Sequence, residues 1–178
     1  MHGGREVLLT DSTKRFFDYW NSLPKVDFVP DRSSFSPPAI YDLMPAVTLL
    51  EIWSRERIDL RLIGTAVAKG MGIEPTGKNY LDLLAPEARE PYLRLLDAQI
   101  AQPCGRRSTL GSRNASGIVA RTEVLALPLF HSLSGHHMLV SCFAPMEAVG
   151  YEKGAYEIRT FEDTEWVDIG AGVPDLVP

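Results

Sequence analysis

Residues Gly72 to Asn79 read GIEPTGKN, one hydroxyl short of the phosphate-binding pattern G-x-x-x-x-G-K-[ST]. Such a loop works when a strand feeds straight into the first glycine, backbone N–H groups wrap the phosphates and a helix starts at the lysine. Here the strand-like run ends near Gly64 and TAVAKGM intervenes before Gly72. Pro75 removes one N–H, Asn79 cannot supply the hydroxyl that holds magnesium, and Pro86 leaves no room for a long helix from Lys78. No apolar strand ending in Asp offers the second half of a nucleotide site. The two glycines therefore read as joints between short helical turns.

Other chemistry-bearing residues are equally sparse in pattern. His131, His136 and His137 cluster around a turn, and imidazoles suit zinc or nickel. No neighbouring cysteine or carboxylate completes a coordination set of about four ligands, so the sequence predicts solvent-exposed turn histidines and no metal. Ser116, Ser134 and Ser141 lack a nucleophile-elbow context. Glu123, between Arg121 and Leu125, reads as an exposed charge or ion pair, and Asp82 as the tip of a short helix. General acid–base work needs convergent groups, and none is visible; the expectation is no catalytic residue and no enzyme.

The composition bounds the partners. The chain has 178 residues, 45% hydrophobic and 23% charged, with a net charge of −5, which suits one folded domain with a core of its own. An acidic balance argues against nucleic acid; the arginines 106, 107, 113 and 121 read as a solvated face. Two cysteines, Cys104 and Cys142, make no disulfide framework. Val7 to Leu9 is too short for a signal-peptide core and no segment approaches a membrane span. A cytoplasmic location and no membrane contact are expected.

The elements that must position these residues follow from periodicity. A helix capped by Asp11 or Ser12 carries Phe16, Trp20 and Leu23 on one stripe, widened by Phe17 and Tyr19, and stops at Pro24. So short and aromatic a helix must pack on the body of the domain or on a second copy; Phe16, Phe17 and Trp20 are the predicted dimer or partner residues. Residues 24–38, with four prolines, form a linker or extended cover. VTLLEIW and IDLRLIG form a hairpin across the polar SRER turn, with Ile58, Leu60 and Leu62 expected on one face. Short helical turns fill 65–85, and a long helix runs from Pro86 or Pro91 to about Gln102. Three strands follow, from 106 to 144, broken by the NASG and SLSG turns. Past Gly150 an acidic segment with Tyr151, Tyr156, Phe161 and Trp166 is expected to lie on the sheet or on a partner, and GAGVPDLVP reads as loose.

The order of two strands, short helices, a long helix and three strands resembles the PAS domain, a small sensory fold. The stretch Leu60 to Leu84 carries the resemblance, together with Trp20–Pro24 (W-x-x-L-P) and Leu127–Phe130 (LPLF), which resemble a bacterial (proteobacterial) branch of small, often free-standing PAS proteins. The resemblance spans roughly residues 12–147. It implies an α+β fold, a PAS-like five-stranded antiparallel sheet with helices on one face, plus an N-terminal helix and a C-terminal extension. The corresponding divisions are 1–45, 46–147 and 148–178. It further implies a cavity between sheet and long helix, and dimers through the outer sheet face or the N-terminal helix.

Cofactors of this fold can be tested on the residues. Flavin photoreceptors resemble G-x-N-C-R-F-L-Q at a place where this chain has G-K-N-Y-L-D-L-L. Tyr80 stands for the cysteine, and a light-driven adduct needs sulfur; a covalent flavin is disfavoured and a noncovalent one left open. Haem-binding relatives use a histidine on or near the long helix, and Pro86 to Gln102 holds none. The predicted cavity lining is Trp53, Leu62, Met71, Tyr80, Leu84, Leu96, Val124 and Cys142, on the premise that each strand keeps its register. Two functions follow. One is a signal-transduction sensor that binds a small, mostly apolar ligand and changes its contacts with a signalling protein. The other is an adaptor or dimerisation module whose cavity is filled by its own side chains.

Overall fold

The computed structural model describes residues 9–72, 77–117, 119–145 and 156–178. A helix, α1 (Asp11–Ser22), opens the chain and is capped by Thr10, whose hydroxyl accepts from the Thr13 N–H, not by Asp11 or Ser12. The Pro-rich cover contains a two-residue hairpin, β1 (Lys25–Val26) and β2 (Val29–Pro30), and short 3-10 turns. Next come β3 (Val47–Ile52), β4 (Ile58–Ile63), α2 (Thr65–Met71), a 3-10 turn Tyr80–Leu83 and the long helix α3 (Pro86–Ala101). β5 (Gly105–Asn114), β6 (Val119–His131), β7 (His136–Pro145) and β8 (Tyr156–Val167) complete it.

All neighbouring strands of the main sheet pair antiparallel, in the order β4-β3-β7-β6-β5-β8. The first five match the expected PAS-like sheet. The sixth, β8, comes from the acidic C-terminal extension, which pairs along nearly the whole of β5. Its Ile158 carbonyl also accepts from the Ala85 N–H at 2.8 Å, tying the start of α3 to the sheet. The tail after β8 is not loose. Asp168 Oδ1 accepts from the Gly170 and Gly172 N–H groups, Trp166 Nε1 donates to Leu176 O at 2.8 Å, and Gln102 donates to Ala171 O.

The sheet separates two apolar layers. On the inner face, α2, the Tyr80–Leu83 turn and α3 pack on Leu50, Ile58, Leu60, Leu110 and Leu139. On the outer face, α1 and the cover segment pack on Leu49, Leu125, Leu127, Leu129 and Val140. Phe16 and Trp20 are fully buried there, and Trp20 Nε1 donates to Pro128 O at 3.0 Å. α1 thus covers the chain's own sheet. In this position Phe16 and Trp20 present no surface to a second molecule; only Phe17, half-buried and stacked on Trp20, reaches the edge of the layer.

The glycine-and-lysine stretch has a structural account. Gly72 ends α2 in the left-handed region (φ 65°), with its N–H on Ala68 O and Lys69 O. Gly77, at φ 80°, donates to Leu60 O, and Leu60 N donates back to Lys78 O, so this segment runs along the free edge of β4. Asn79 accepts from Ile58 N at 3.1 Å and Leu81 N at 3.3 Å and donates to Glu56 O at 2.7 Å. Its amide caps the next turn through the oxygen while the nitrogen closes on the β3–β4 turn. Residues 73–76 lie outside the described residues, as do His2, Val7 and Tyr151.

Candidate functional site

The inner layer encloses a cavity of about 20 Å³ between the sheet and α3, room for about one water. Its floor is Leu50, Val124, Leu139 and Phe143 from the sheet, and its roof is Tyr80 and Tyr92. The Tyr80 and Tyr92 ring centroids are 5.2 Å apart, and Phe161 of β8 continues the stack at 5.3 Å from Tyr92. Burial pushes both phenols above their ordinary range. Tyr92 adds to the rise at Tyr80, while the Arg106 charge opposes it at both. A second chamber of about 90 Å³ lies under α2, lined by Val67, Gly70 and Met71, and shares Leu110 and Phe143 with the first.

Five of the eight residues predicted for the lining, Met71, Tyr80, Leu84, Leu96 and Val124, meet in this inner layer. Three do not. Leu62 is displaced by a β-bulge: Leu49 pairs with Leu62 but Leu50 with Leu60, so Arg61 is the extra residue and Leu62 joins the outer layer. Cys142 alternates with inward Ser141 and Phe143 and packs beneath α1. Trp53 lies past the end of β3, 46% exposed, with its ring 4.0 Å from His136 and the Arg57 guanidinium 4.8 Å above it. Neither cysteine lines the inner cavity, and 20 Å³ does not admit a flavin ring in this conformation.

The arginines do not share a solvated face. Strand alternation sends Arg106 inward, 4% exposed, against the Tyr92 ring at 5.2 Å. Arg107 points outward and meets Glu123 Oε2 at 3.1 Å. Glu123 is likewise not an exposed charge: it is 1% exposed. Its Oε1 accepts from Thr10 N at 3.0 Å, Thr10 Oγ1 at 2.9 Å and Thr13 Oγ1 at 2.5 Å. Burial alone would raise its pKa, but these donors and Arg107 hold it below the ordinary range.

The turn histidines also have a partner that the sequence did not reveal. Glu51, 4% exposed on β3, accepts from Ser134 Oγ at 3.1 Å and faces His136 Nδ1 at 3.1 Å and His131 Nδ1 at 3.5 Å through one oxygen. Arg61, the bulged residue, stands 3.5 Å from the other oxygen. Burial raises the carboxyl's pKa; the contacts with His136, Ser134, His131 and Arg61 outweigh it and lower it. Among the described residues, no three or more His, Cys, Asp or Glu are arranged to hold a metal. Strand pairing brings Glu51 opposite Met138; at a separation of 80 residues from His131, only a correct sheet order could have found it. Sequence reasoning also missed an open groove of about 470 Å³, between the β1–β2 hairpin, Gln99 and Ile100 of α3, and Phe130.

Comparison with known proteins adds three findings. A family model described as "PAS domain" matches residues 9–142. No curated protein matches the chain at a significant level. A solved structure of a fungal LOV-domain photoreceptor is similar, with 17% identity, 77% of this chain and 95% of that chain covered, and a TM-score of 0.47. No helix among the described residues is long and apolar enough to cross a membrane.

Proposed function

The chain belongs to the PAS domain family, and from that premise we propose that it is a sensory and regulatory module that binds a small ligand in the inner cavity and relays its presence to a signalling protein. The observation that supports the reading is the composition of that cavity: two tyrosines and one arginine face apolar walls in a site enclosed by α3 and the sheet. Polar groups converging in an apolar enclosure are what fixes a small molecule's orientation. The proposed role is non-catalytic and cytoplasmic, in the bacterial branch that the Trp20–Pro24 and Leu127–Phe130 phrases resemble. Occupation must spread the roof from the floor, because the cavity of about 20 Å³ is smaller than any organic ligand. That movement is the proposed signal, passed through α3 or β8 to a partner or to a second copy of the chain.

The small volume favours a second reading, an adaptor whose cavity its own side chains fill. The two separate in one experiment. Protein purified without stripping is weighed by native mass spectrometry and screened by thermal unfolding against a fragment library. The sensor reading expects a retained mass or a saturable rise in Tm, since binding only the native state stabilises it by mass action. The adaptor reading expects neither.

A further inference from the structure

We infer that the ligand of the inner cavity is an anion, a small monocarboxylate with a short apolar body, and that Arg106 is its anchor. The inference rests on the ligand-binding reading and adds the ligand's chemistry. Arg106 is 4% exposed and its Nη1 is buried without a hydrogen-bond partner. Among the described residues no carboxylate pairs with it, although Arg107, the next residue, pairs with Glu123. The Tyr92 ring, 5.2 Å from the guanidinium carbon, and the hydrogen bond between the guanidinium and the Tyr92 hydroxyl offset only part of the cost of desolvating a cation, and Nη1 remains unpartnered. A buried arginine without a counter-charge is destabilising as structure; replacing it by an apolar residue is neutral or favourable for folding alone. Its placement is explained by a group that it holds.

The surroundings say which group. Arg106, Ser108 and Ser141 line the same cavity, giving a planar donor fork and two hydroxyls, of which that of Ser108 also meets Thr164 Oγ1 at 3.0 Å. A fork of this kind matches a carboxylate in two parallel N–H···O bonds. The rest of the lining is largely apolar, and Leu110 and Phe143 belong both to it and to the chamber under Val67 and Met71. A carboxylate on Arg106 therefore directs an apolar body past Leu110 and Phe143 toward Met71, whose flexible side chain adapts to shape.

The test uses the full chain and a defined panel: propionate, butyrate and benzoate, each beside its neutral amide, with inorganic phosphate as a separate oxyanion. Thermal unfolding and calorimetric titration are read for wild type, Arg106→Met and Arg106→Lys. At least one carboxylate is expected to raise Tm saturably while its amide does not. Arg106→Met is expected to fold with an unchanged or higher Tm and to lose binding; Arg106→Lys, which keeps the charge but not the fork, weakens it about tenfold. Should the methionine variant not fold, the lysine variant decides. Amides that bind as well as acids, binding that survives at full strength in the folded variants, or a response to phosphate alone overturns the monocarboxylate assignment and leaves ligand sensing standing. The same holds for a wild type that ignores the panel yet retains in native mass spectrometry a compound identified as having no carboxyl group. A wild type that ignores the panel, retains no mass and answers no fragment of the library ends both the monocarboxylate assignment and ligand sensing.

Discussion

Two buried glutamates fasten the outer layer, and each is stabilised only while ionised. Glu123 joins three donors on Thr10 and Thr13 to Arg107, so α1 is pinned to β6 at its first turn. Glu51 joins β3 to the β6–β7 turn. Both carboxyls sit below their ordinary value of 4.5 when folded. A depressed folded pKa gives stability that is complete above the unfolded value and is lost as pH falls through the folded one. The protein is therefore expected to lose stability progressively below about pH 4.5. Glu123→Gln, which keeps the shape but not the charge, is expected to cost about 1–3 kcal/mol at neutral pH and to flatten this acid slope. Urea unfolding across a pH series checks both; an unchanged slope in the variant would refute the pinning role. None of this was legible locally. Arg121 and Leu125 around Glu123 suggest a surface strand, because the threonines that satisfy it stand over 100 residues away.

At the scale of elements, α1, α3 and the five strands β3 to β7 were legible, and so was their order, because each has an apolar stripe or a strand-like run, whereas the β1–β2 hairpin read only as a Pro-rich cover. The faces were less so. The bulge at Arg61 inverts one half of β4 with no glycine or proline to mark it, which cost the assignment of Leu62. β8 was legible as an ordered acidic segment but not as a strand, since its buried residues, Tyr156, Ile158 and Val167, do not keep a simple alternation, Ile158 joining the inner layer and Val167 the outer one, and the pairing with β5 shifts register twice. The strand matters because it covers the edge that β5 would otherwise present to other chains. Ile158, fully buried between β5 and the start of α3, is its anchor. Ile158→Ala is expected to destabilise by about 2–5 kcal/mol. It should also raise self-association at high concentration as the β5 edge frees, read by denaturant unfolding and by light scattering. A loss under 1 kcal/mol, within the range of surface changes, would show that β8 is not part of the folding unit.

At the scale of the molecule, one sheet carries two layers, an outer one under α1 and an inner one under α3, and they are expected to open independently. Each thiol reports on a different place. Cys142 lies in the outer layer beneath α1; Cys104 lies at the start of β5, where Gln99 of α3 donates to its carbonyl at 2.9 Å. Both are fully buried, and burial pushes both thiols up to about 12, so neither is reactive in the closed protein at neutral pH. Labelling with a thiol reagent then occurs only through opening. Trp20→Ala removes the largest side chain that α1 contributes to the outer layer and should cost about 3–5 kcal/mol. If α1 lifts as a unit, this variant labels Cys142 much faster than wild type while Cys104 lags, resolved by mass spectrometry of the alkylated peptides. Equal acceleration at both cysteines would mean that the layers open only together, and that a change around Arg106 reaches α1 as directly as it reaches α3.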